Sequence, residues 1–246
     1  MEVKKNVLNK RPLQFAYIML VFLFTAGALR AAQDPGGFNG ALWGQSPEQV
    51  KGAAGISGWQ TDQTETSFPP ELKVTVYRAP AVIAGYNASV KYYFQDGRFF
   101  QATIDFEFND LKQFDFNYNV FRSVNEYYTA IRTETVLFVD DIYALLREKY
   151  GKKKPVFKGL DPRNVFDELD KYVAQERWNH RYHPYDFYLN IVTSSYARWD
   201  FPSTRVLFSL NIAASQKRFD YQLSLSSIAM SNTIQKALYA LRAKGL

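Results

Sequence analysis

Residues 88–108, ASVKYYFQDGRFFQATIDFEF, decide the fold. Apolar and polar side chains alternate along this stretch, and a period of two predicts strands with one buried and one solvent-facing side. The buried side is predicted to hold Val90, Tyr92, Phe94, Phe100, Ala102, Ile104, Phe106 and Phe108, with Tyr93 and Phe99 as aromatic exceptions. Asp96-Gly97 separates the two runs and suits a type I′ turn, in which both residues take positive φ. We therefore expect a β-hairpin.

On the amino-terminal side of the hairpin, one helix and one strand are predicted. Ser46 and Gln49 match a capping box, and Pro47 suits the first helical position, so a helix is expected over 47–54. Trp43 lies just before this cap and is expected to pack back on the helix. Alternation predicts a strand over 72–77, and residues 79–87 are expected to connect it to the hairpin.

On the carboxy-terminal side, helices and strands follow in turn. Residues 109–122 fit either a fourth strand or an aromatic loop. Apolar residues spaced at three and four predict a helix that ends at Tyr150 and begins at either Val124 or Val136. The other predicted elements are a helix over 162–176, a strand over 188–193, strands over 206–212 and 219–225, and a terminal helix over 228–243.

Strands that cluster in antiparallel groups are typical of the α+β class. The predicted fold is α+β, with an antiparallel sheet of about five to six strands covered on one face by helices. A chain of 246 residues is long enough for a sizeable core. We expect residues 33–246 to form one domain, with two similar halves (33–155 and 156–246) as the alternative.

The first 32 residues predict export. Four basic residues precede an apolar run of 15 residues, and small residues follow it, which is the order of a secretory signal peptide. A membrane anchor is the alternative, but a spanning helix needs about 20 apolar residues. Without this segment 25 basic and 23 acidic residues remain, a net charge near +2, so the charge does not indicate nucleic-acid binding. The absence of cysteine favours a bacterial periplasmic or secreted protein, with no membrane span after cleavage.

Most catalytic chemistries lack their residues in this chain. There is no cysteine, no Gly-x-Ser-x-Gly element and no phosphate-binding glycine loop. His180 and His183 are the two histidines, and with Asp186 they fall short of the ligands that zinc prefers. Asp105 and Glu107 are expected to keep a strand face hydrated rather than to act in acid–base catalysis. We predict no catalytic residue, no metal and no cofactor.

The segment RWNHRYHPYDFY, residues 177–188, mixes cations with aromatic rings. Arg, Trp and Tyr dominate protein contact sites. The candidate binding residues are Arg177, Trp178, His180, Arg181, Tyr182, His183, Tyr185 and Asp186. The alternative is that these rings pack as core beside the sheet. The basic run at residues 152–154 is interpreted as a hydrated helix exit rather than an anion site.

Several short motifs carry a resemblance that spans most of the chain after residue 32. They are Trp43-Gly44-x-Ser46 with Glu48 and Val50, Tyr92-Tyr93-Phe94 in the hairpin, Lys149-Tyr150-Gly151 at a helix end, and the stretch from Trp199 to Val206. This pattern resembles a loose group of exported bacterial proteins of unknown function. The resemblance implies export and an α+β fold, and it supplies no catalytic residue.

Three functions are compatible with these features. The first is a non-enzymatic periplasmic module that binds another envelope protein. The alternatives are a structural subunit of a periplasmic or envelope assembly, such as a filament or sheath, and a small-molecule binding protein. The sequence does not specify the partner, the ligand or the oligomeric state.

Overall fold

A computed structural model describes residues 34–65, 67–106, 124–159, 161–162, 164, 167, 171, 192–213 and 218–243. Within these residues the fold is α+β and is dominated by one large antiparallel sheet. The sheet holds eight strands, so the predicted number of five to six was too low. The extra strands are short or lie next to segments with weak alternation, which period-based reading does not detect.

The strands in chain order are β1 (Gly37–Phe38), β2 (Ala41–Leu42), β3 (Gln60–Thr61), β4 (Val74–Ile83), β5 (Tyr86–Gln95), β6 (Arg98–Phe106), β7 (Val156–Gly159), β8 (Val192–Asp200), β9 (Thr204–Ala213) and β10 (Arg218–Ser227). The helices are α1 (Pro47–Ala53), α2 (Val124–Tyr150) and α3 (Ile228–Ala243), and one 3-10 turn covers Pro70–Leu72. β1 and β2 form a separate two-stranded hairpin. The large sheet has the order β3-β4-β5-β6-β10-β9-β8-β7, which joins two four-stranded meanders through β6 and β10.

The predicted hairpin is present as β5 and β6, and its two turn residues Asp96 and Gly97 have φ angles of 48° and 73°. A register shift between Tyr93 and Phe94 changes which side chains at the start of β6 face the main core. Phe94 pairs with Phe99, so Phe100 is the extra residue of a β-bulge. Phe99 therefore faces the main core and Phe100 faces the opposite side, the reverse of the prediction.

The strand before this hairpin is longer than predicted. β4 continues through Ala79 to Ile83 and pairs with β5 along its whole length, so the predicted connection over 79–87 was wrong. The reversal is a tight turn at Ala84-Gly85, with φ angles of 52° and 83°. Alanine rarely takes a positive φ, so this turn carries no clear sequence signal.

The first face of the sheet carries the main core, and α2 packs on it. Phe138 is fully buried, and its ring centroid lies 4.9 Å from those of Phe106 and Tyr221. The Thr135 and Tyr221 hydroxyls share a buried hydrogen bond of 2.7 Å. The helix begins at Val124, so the earlier of the two predicted starts is observed.

The second face carries a smaller core, to which α3 contributes Ile234. This cluster also holds Val76, Tyr93 and Phe100. Because Tyr93 lies between Tyr92 and Phe94, which face the main core, the two clusters lie on opposite sides of the sheet. The prediction that the helices cover one face is therefore not confirmed, since α2 and α3 contribute to different faces. The bounds of α3 agree with the predicted 228–243.

The amino-terminal segment closes one end of the sheet. The capping box of α1 is confirmed, because Ser46 and Gln49 exchange side-chain to backbone hydrogen bonds. Trp43 was predicted to pack back on this helix, and it packs against the main core cluster, which includes Val50 of α1. Its ring lies 4.9 Å from that of Phe99, and its Nε1 donates to the Thr204 hydroxyl at 2.9 Å. The tryptophan therefore connects the segment to the start of β6 and of β9.

Candidate functional site

The binding segment predicted from the sequence is not among the described residues. All eight candidates, from Arg177 to Asp186, lie between residues 172 and 191, where the structure describes none. The helix expected over 162–176, residues 109–122 and the signal peptide also lie outside or almost wholly outside the described residues. These predictions stay predictions.

Within the described residues, an outer strand of the sheet presents apolar side chains to solvent. β7 pairs with β8 on one side and with no described strand on the other. Val156 is 60% exposed and Phe157 is 37% exposed. Val156 lies opposite Arg198, and Phe157 lies opposite the buried Ala197, so the two side chains are on different faces of the strand. The outer strand β7 therefore has one exposed apolar side chain on each of its two faces.

Lysines flank these two apolar residues. Lys152, Lys154 and Lys158 are exposed, and Arg198 lies across from Val156. The nearby Asp200 is shared by two cations, with Oδ2 2.9 Å from Arg198 Nε and Oδ1 2.8 Å from Arg205 Nε. Charge around the strand is therefore predominantly positive. We call Lys152, Lys154, Val156, Phe157 and Lys158 the β7 edge.

Contacts with β8 and the loop after it fix the chain that leads into the β7 edge. Trp199 Nε1 donates to the carbonyl oxygen of Lys153 at 3.1 Å. Lys153 Nζ donates to the carbonyl oxygen of Asp200 and lies 4.8 Å from the centre of the Phe201 ring. One lysine of the run is thus held against the protein, which leaves its two neighbours on the exposed side.

Near the other edge of the sheet, a network of charges connects the loop after β3 to strands β4, β5 and β6. We call it the Lys91 cluster, and it consists of Asp62, Glu65, Arg78, Lys91 and Asp105. Lys91 Nζ lies 3.2 Å from Glu65, 3.9 Å from Asp62 and 4.0 Å from Asp105. Arg78 approaches Asp62 at 3.1 Å. The cluster holds the loop after β3 on the second face.

Burial makes the Lys91 cluster sensitive to protonation. The Asp62 side chain is 3% exposed. The Thr64 hydroxyl and backbone N–H that donate to Asp62, with Arg78 and Lys91 beside it, hold the pKa of this carboxyl below its ordinary value despite burial. Burial acts to raise the pKa of Glu65, but hydrogen bonds from Ser67 and Lys91 outweigh it, so this pKa is also lowered.

These charges form structural contacts rather than a reaction centre. Asp105 Oδ1 accepts a hydrogen bond of 2.7 Å from Gln222 Nε2, and Tyr93 donates its hydroxyl to Glu65 at 3.3 Å. The described residues contain no group of three or more His, Cys, Asp or Glu side chains placed to hold a metal ion. In the same part of the chain no helix is both long and apolar enough to cross a membrane.

Sequence reasoning missed the β7 edge. The strand has four residues, and the preceding Lys-Lys-Lys-Pro was interpreted only as a hydrated helix exit. The available signal was an apolar pair, Val156-Phe157, between lysines and directly after a proline. Comparison with protein families, with curated proteins and with solved structures gives no match.

Proposed function

We propose that this protein is an exported, non-enzymatic interaction module that binds an acidic, extended segment of another envelope protein along the β7 edge. The observation that carries the proposal is an outer strand with one unpaired side in the described structure and with exposed Val156 and Phe157 among lysines. Export rests on the signal-peptide pattern of the first 32 residues.

An added strand is the natural ligand of such an edge. Its backbone N–H and C=O groups would pair with those of β7, and its alternate side chains would contact Val156 on one face and Phe157 on the other. Lysines are common on outer strands because they discourage uncontrolled pairing. Acidic residues on the incoming strand would remove this obstacle, so charge would select the partner.

Self-assembly through the same edge is the structural-subunit alternative. Pairing of β7 with β7 of a second copy would bring Lys152, Lys154 and Lys158 of both copies together. Like charges directly opposite each other destabilise a strand pair. The charge pattern therefore favours a different, acidic partner over a second copy of this chain.

The test uses two fluorescent eight-residue peptides, one alternating valine with glutamate and the other alternating valine with lysine. The full reading frame is expressed in its host, so that any processing is natural, and the purified protein is titrated into each peptide while anisotropy is measured. We expect the glutamate peptide to bind and the lysine peptide to bind at least about tenfold more weakly. Raising the salt concentration should weaken the glutamate complex, because exposed charges are screened.

Val156→Asp is the diagnostic variant, because it places a negative charge beside the bound strand. Val82→Asp is its matched control, since Val82 is 68% exposed on β4 at the other side of the sheet. We expect Val156→Asp to weaken the glutamate peptide about tenfold and Val82→Asp to leave it unchanged. Equal binding of both peptides, or equal effects of the two variants, would refute the proposal. A dimer that Val156→Asp dissociates would instead establish the self-assembly alternative.

A further inference from the structure

The corner of the molecule at which the described chain begins has a basic surface. It is formed by the amino-terminal loop, residues 34–42, and by the end of α2 with the chain that follows it, residues 147–154. We call these two segments the amino-terminal corner. Its exposed charged residues carry a net charge of +3, and they are Arg147, Glu148, Lys152, Lys153 and Lys154. The surface therefore suits a negatively charged partner.

The two segments of the amino-terminal corner pack against each other. Both line one small cavity, to which the loop contributes Phe38 and Leu42 and α2 contributes Tyr150. Lys149 Nζ lies 5.8 Å from the centre of the Phe38 ring. The Tyr150 ring lies 5.6 Å from the ring of Phe201, in the turn between β8 and β9. The loop and the end of α2 therefore belong to one continuous surface.

The first described residue, Asp34, fixes the loop in this corner. Its Oδ1 accepts from the Gly36 N–H at 3.1 Å, and its Oδ2 accepts from the Ser203 N–H. Burial acts to raise the pKa of this carboxyl, but these backbone hydrogen bonds, with the Ser203 and Thr204 hydroxyls, lower it overall. Asp34 thus holds the loop against the turn between β8 and β9, and its charge is directed toward that turn.

An exposed apolar side chain accompanies the cations. Leu42 is 56% exposed. Arg147, Lys152 and Lys154 lie within four residues of Tyr150, which lines the same cavity as Leu42, and four residues span at most about 14 Å. A basic surface with a protruding apolar side chain is typical of contact with anionic lipids, because the cations attract the headgroups while the apolar side chain enters the interface.

The amino-terminal corner is also where the predicted leader joins the described chain. The apolar run of the leader ends at Leu29, and Asp34 is the first described residue. Residues 30–33 allow at most about 18 Å between these two positions. A leader that enters the membrane during export therefore brings this corner close to the bilayer surface.

We propose that the amino-terminal corner binds the surface of an anionic membrane, with Leu42 in the headgroup region and Arg147, Lys152 and Lys154 beside lipid phosphates. Each lysine or arginine near an anionic surface contributes about fivefold in affinity, and salt screens this attraction. The contact is therefore reversible. Its ligand differs from the acidic strand proposed for the β7 edge. Leu42 is not part of that edge, so a change at Leu42 separates the two proposals.

The test measures how much protein sediments with lipid vesicles. The full reading frame is expressed in its host, so that any processing is natural, and the purified protein is mixed with vesicles of phosphatidylcholine alone or of phosphatidylcholine with phosphatidylglycerol. We expect the anionic vesicles to bind at least about tenfold more tightly than the neutral vesicles. High salt should abolish most of this difference.

Leu42→Asp is the diagnostic variant, because it removes the apolar contact and adds a negative charge. Leu137→Asp is its matched control, since Leu137 is 50% exposed on α2 and lies about 20 Å along the helix from Tyr150. We expect Leu42→Asp to weaken binding to anionic vesicles at least about tenfold and Leu137→Asp to leave it unchanged. Both variants should keep the Tm of the parent protein, and Leu42→Asp should still bind the glutamate peptide.

A pair of double variants tests the charges. Lys152→Gln/Lys154→Gln should weaken binding to anionic vesicles at least about tenfold, whereas Lys236→Gln/Arg242→Gln, which removes two exposed charges of α3, should not. Equal binding of neutral and anionic vesicles, or no binding of either, would overturn the proposal. Equal effects of the two leucine variants, or of the two double variants, would overturn it as well.

Discussion

The two edges of the large sheet end in different ways. On the β3 side, the short strand β3 pairs with β4 at Tyr77 and Arg78, and Pro80 of β4 has no backbone N–H to donate. The Lys91 cluster holds the loop after β3 on the sheet. On the β7 side, the described structure shows a short strand with exposed Val156 and Phe157. Lysine takes part in both regions. Lys91, on β5 two strands in from the β3 edge, is nearly buried among acids, whereas the lysines of the β7 edge are exposed.

This difference shows how the same residue type serves two purposes. Lys91 is 18% exposed and neutralises carboxylates that the fold has buried, so it is part of the structure. Lys152, Lys154 and Lys158 hold positive charge at the surface, and among the described residues no buried acid is paired with them. A charge that the fold does not need is available for a partner. The following predictions separate the two roles.

The largest effect is expected from Lys91→Met. The change leaves Asp62 and Glu65 without their shared cation. Because the network is part-buried and Arg78 still pairs with Asp62, the cost should lie between that of an exposed and that of a buried ion pair, at about 2 kcal/mol. The free energy of unfolding, measured from urea transitions at pH 7, should fall by that amount. The matched control is Lys158→Met on β7, which should change it by less than about 0.5 kcal/mol.

Neutralising the acids together with the lysine should rescue this loss. In the triple variant Lys91→Met/Asp62→Asn/Glu65→Gln, no buried carboxylate is left without its cation, so part of the lost stability should return. A triple variant less stable than Lys91→Met alone would show that the cluster does not act through charge. Equal losses in Lys91→Met and Lys158→Met would remove the distinction between the two edges.

The next largest effect is expected at low pH, where protonation of the Lys91 cluster should reduce the free energy of unfolding. The pKa values of Asp62 and Glu65 lie below their ordinary values of 3.8 and 4.5 in the folded protein, so both groups contribute stability above about pH 4. That contribution is lost as the pH falls through the folded values. Urea midpoints at pH 7, 5 and 3 should fall less steeply for Lys91→Met than for the parent. Parallel curves would contradict this assignment.

The smallest effect on stability is expected at the open edge. Val156→Asp removes an exposed apolar side chain and should change the free energy of unfolding by less than about 0.5 kcal/mol. Urea transitions of this variant and of Val82→Asp should nearly coincide. A loss above about 1 kcal/mol in Val156→Asp would mean that Val156 packs against the protein and is not available to a partner.

Sequence reasoning succeeded where the signal was local. The capping box at Ser46, the turn at Asp96-Gly97 and the bounds of α3 each depend on neighbouring residues, and all three were confirmed. It failed where distant contacts decide the outcome. The bulge at Phe100 reverses two aromatic side chains, and the Nε1 of Trp43 finds its acceptor in Thr204, which lies 161 residues away in the chain.

The candidate site was harder to predict than the fold. A two- or four-residue strand such as β3 or β7 is too short to establish a period, so neither edge of the sheet was predicted. The Lys91 cluster joins residues from a loop and from three strands, and no spacing along the chain brings Asp62 and Lys91 together. Charge–charge contacts of this kind become visible only in three dimensions.

Hydrogen exchange at the β7 edge tests the proposed strand addition most directly. Backbone amides of residues 152–159 are followed by mass spectrometry with and without a saturating amount of the glutamate-alternating peptide, and peptides covering β3 and β4 serve as the internal reference. We expect slower exchange over 152–159 and no change over β3 and β4, because an added strand would pair with β7 alone. Unchanged exchange at β7, or protection confined to β3 and β4, would contradict the proposed strand addition.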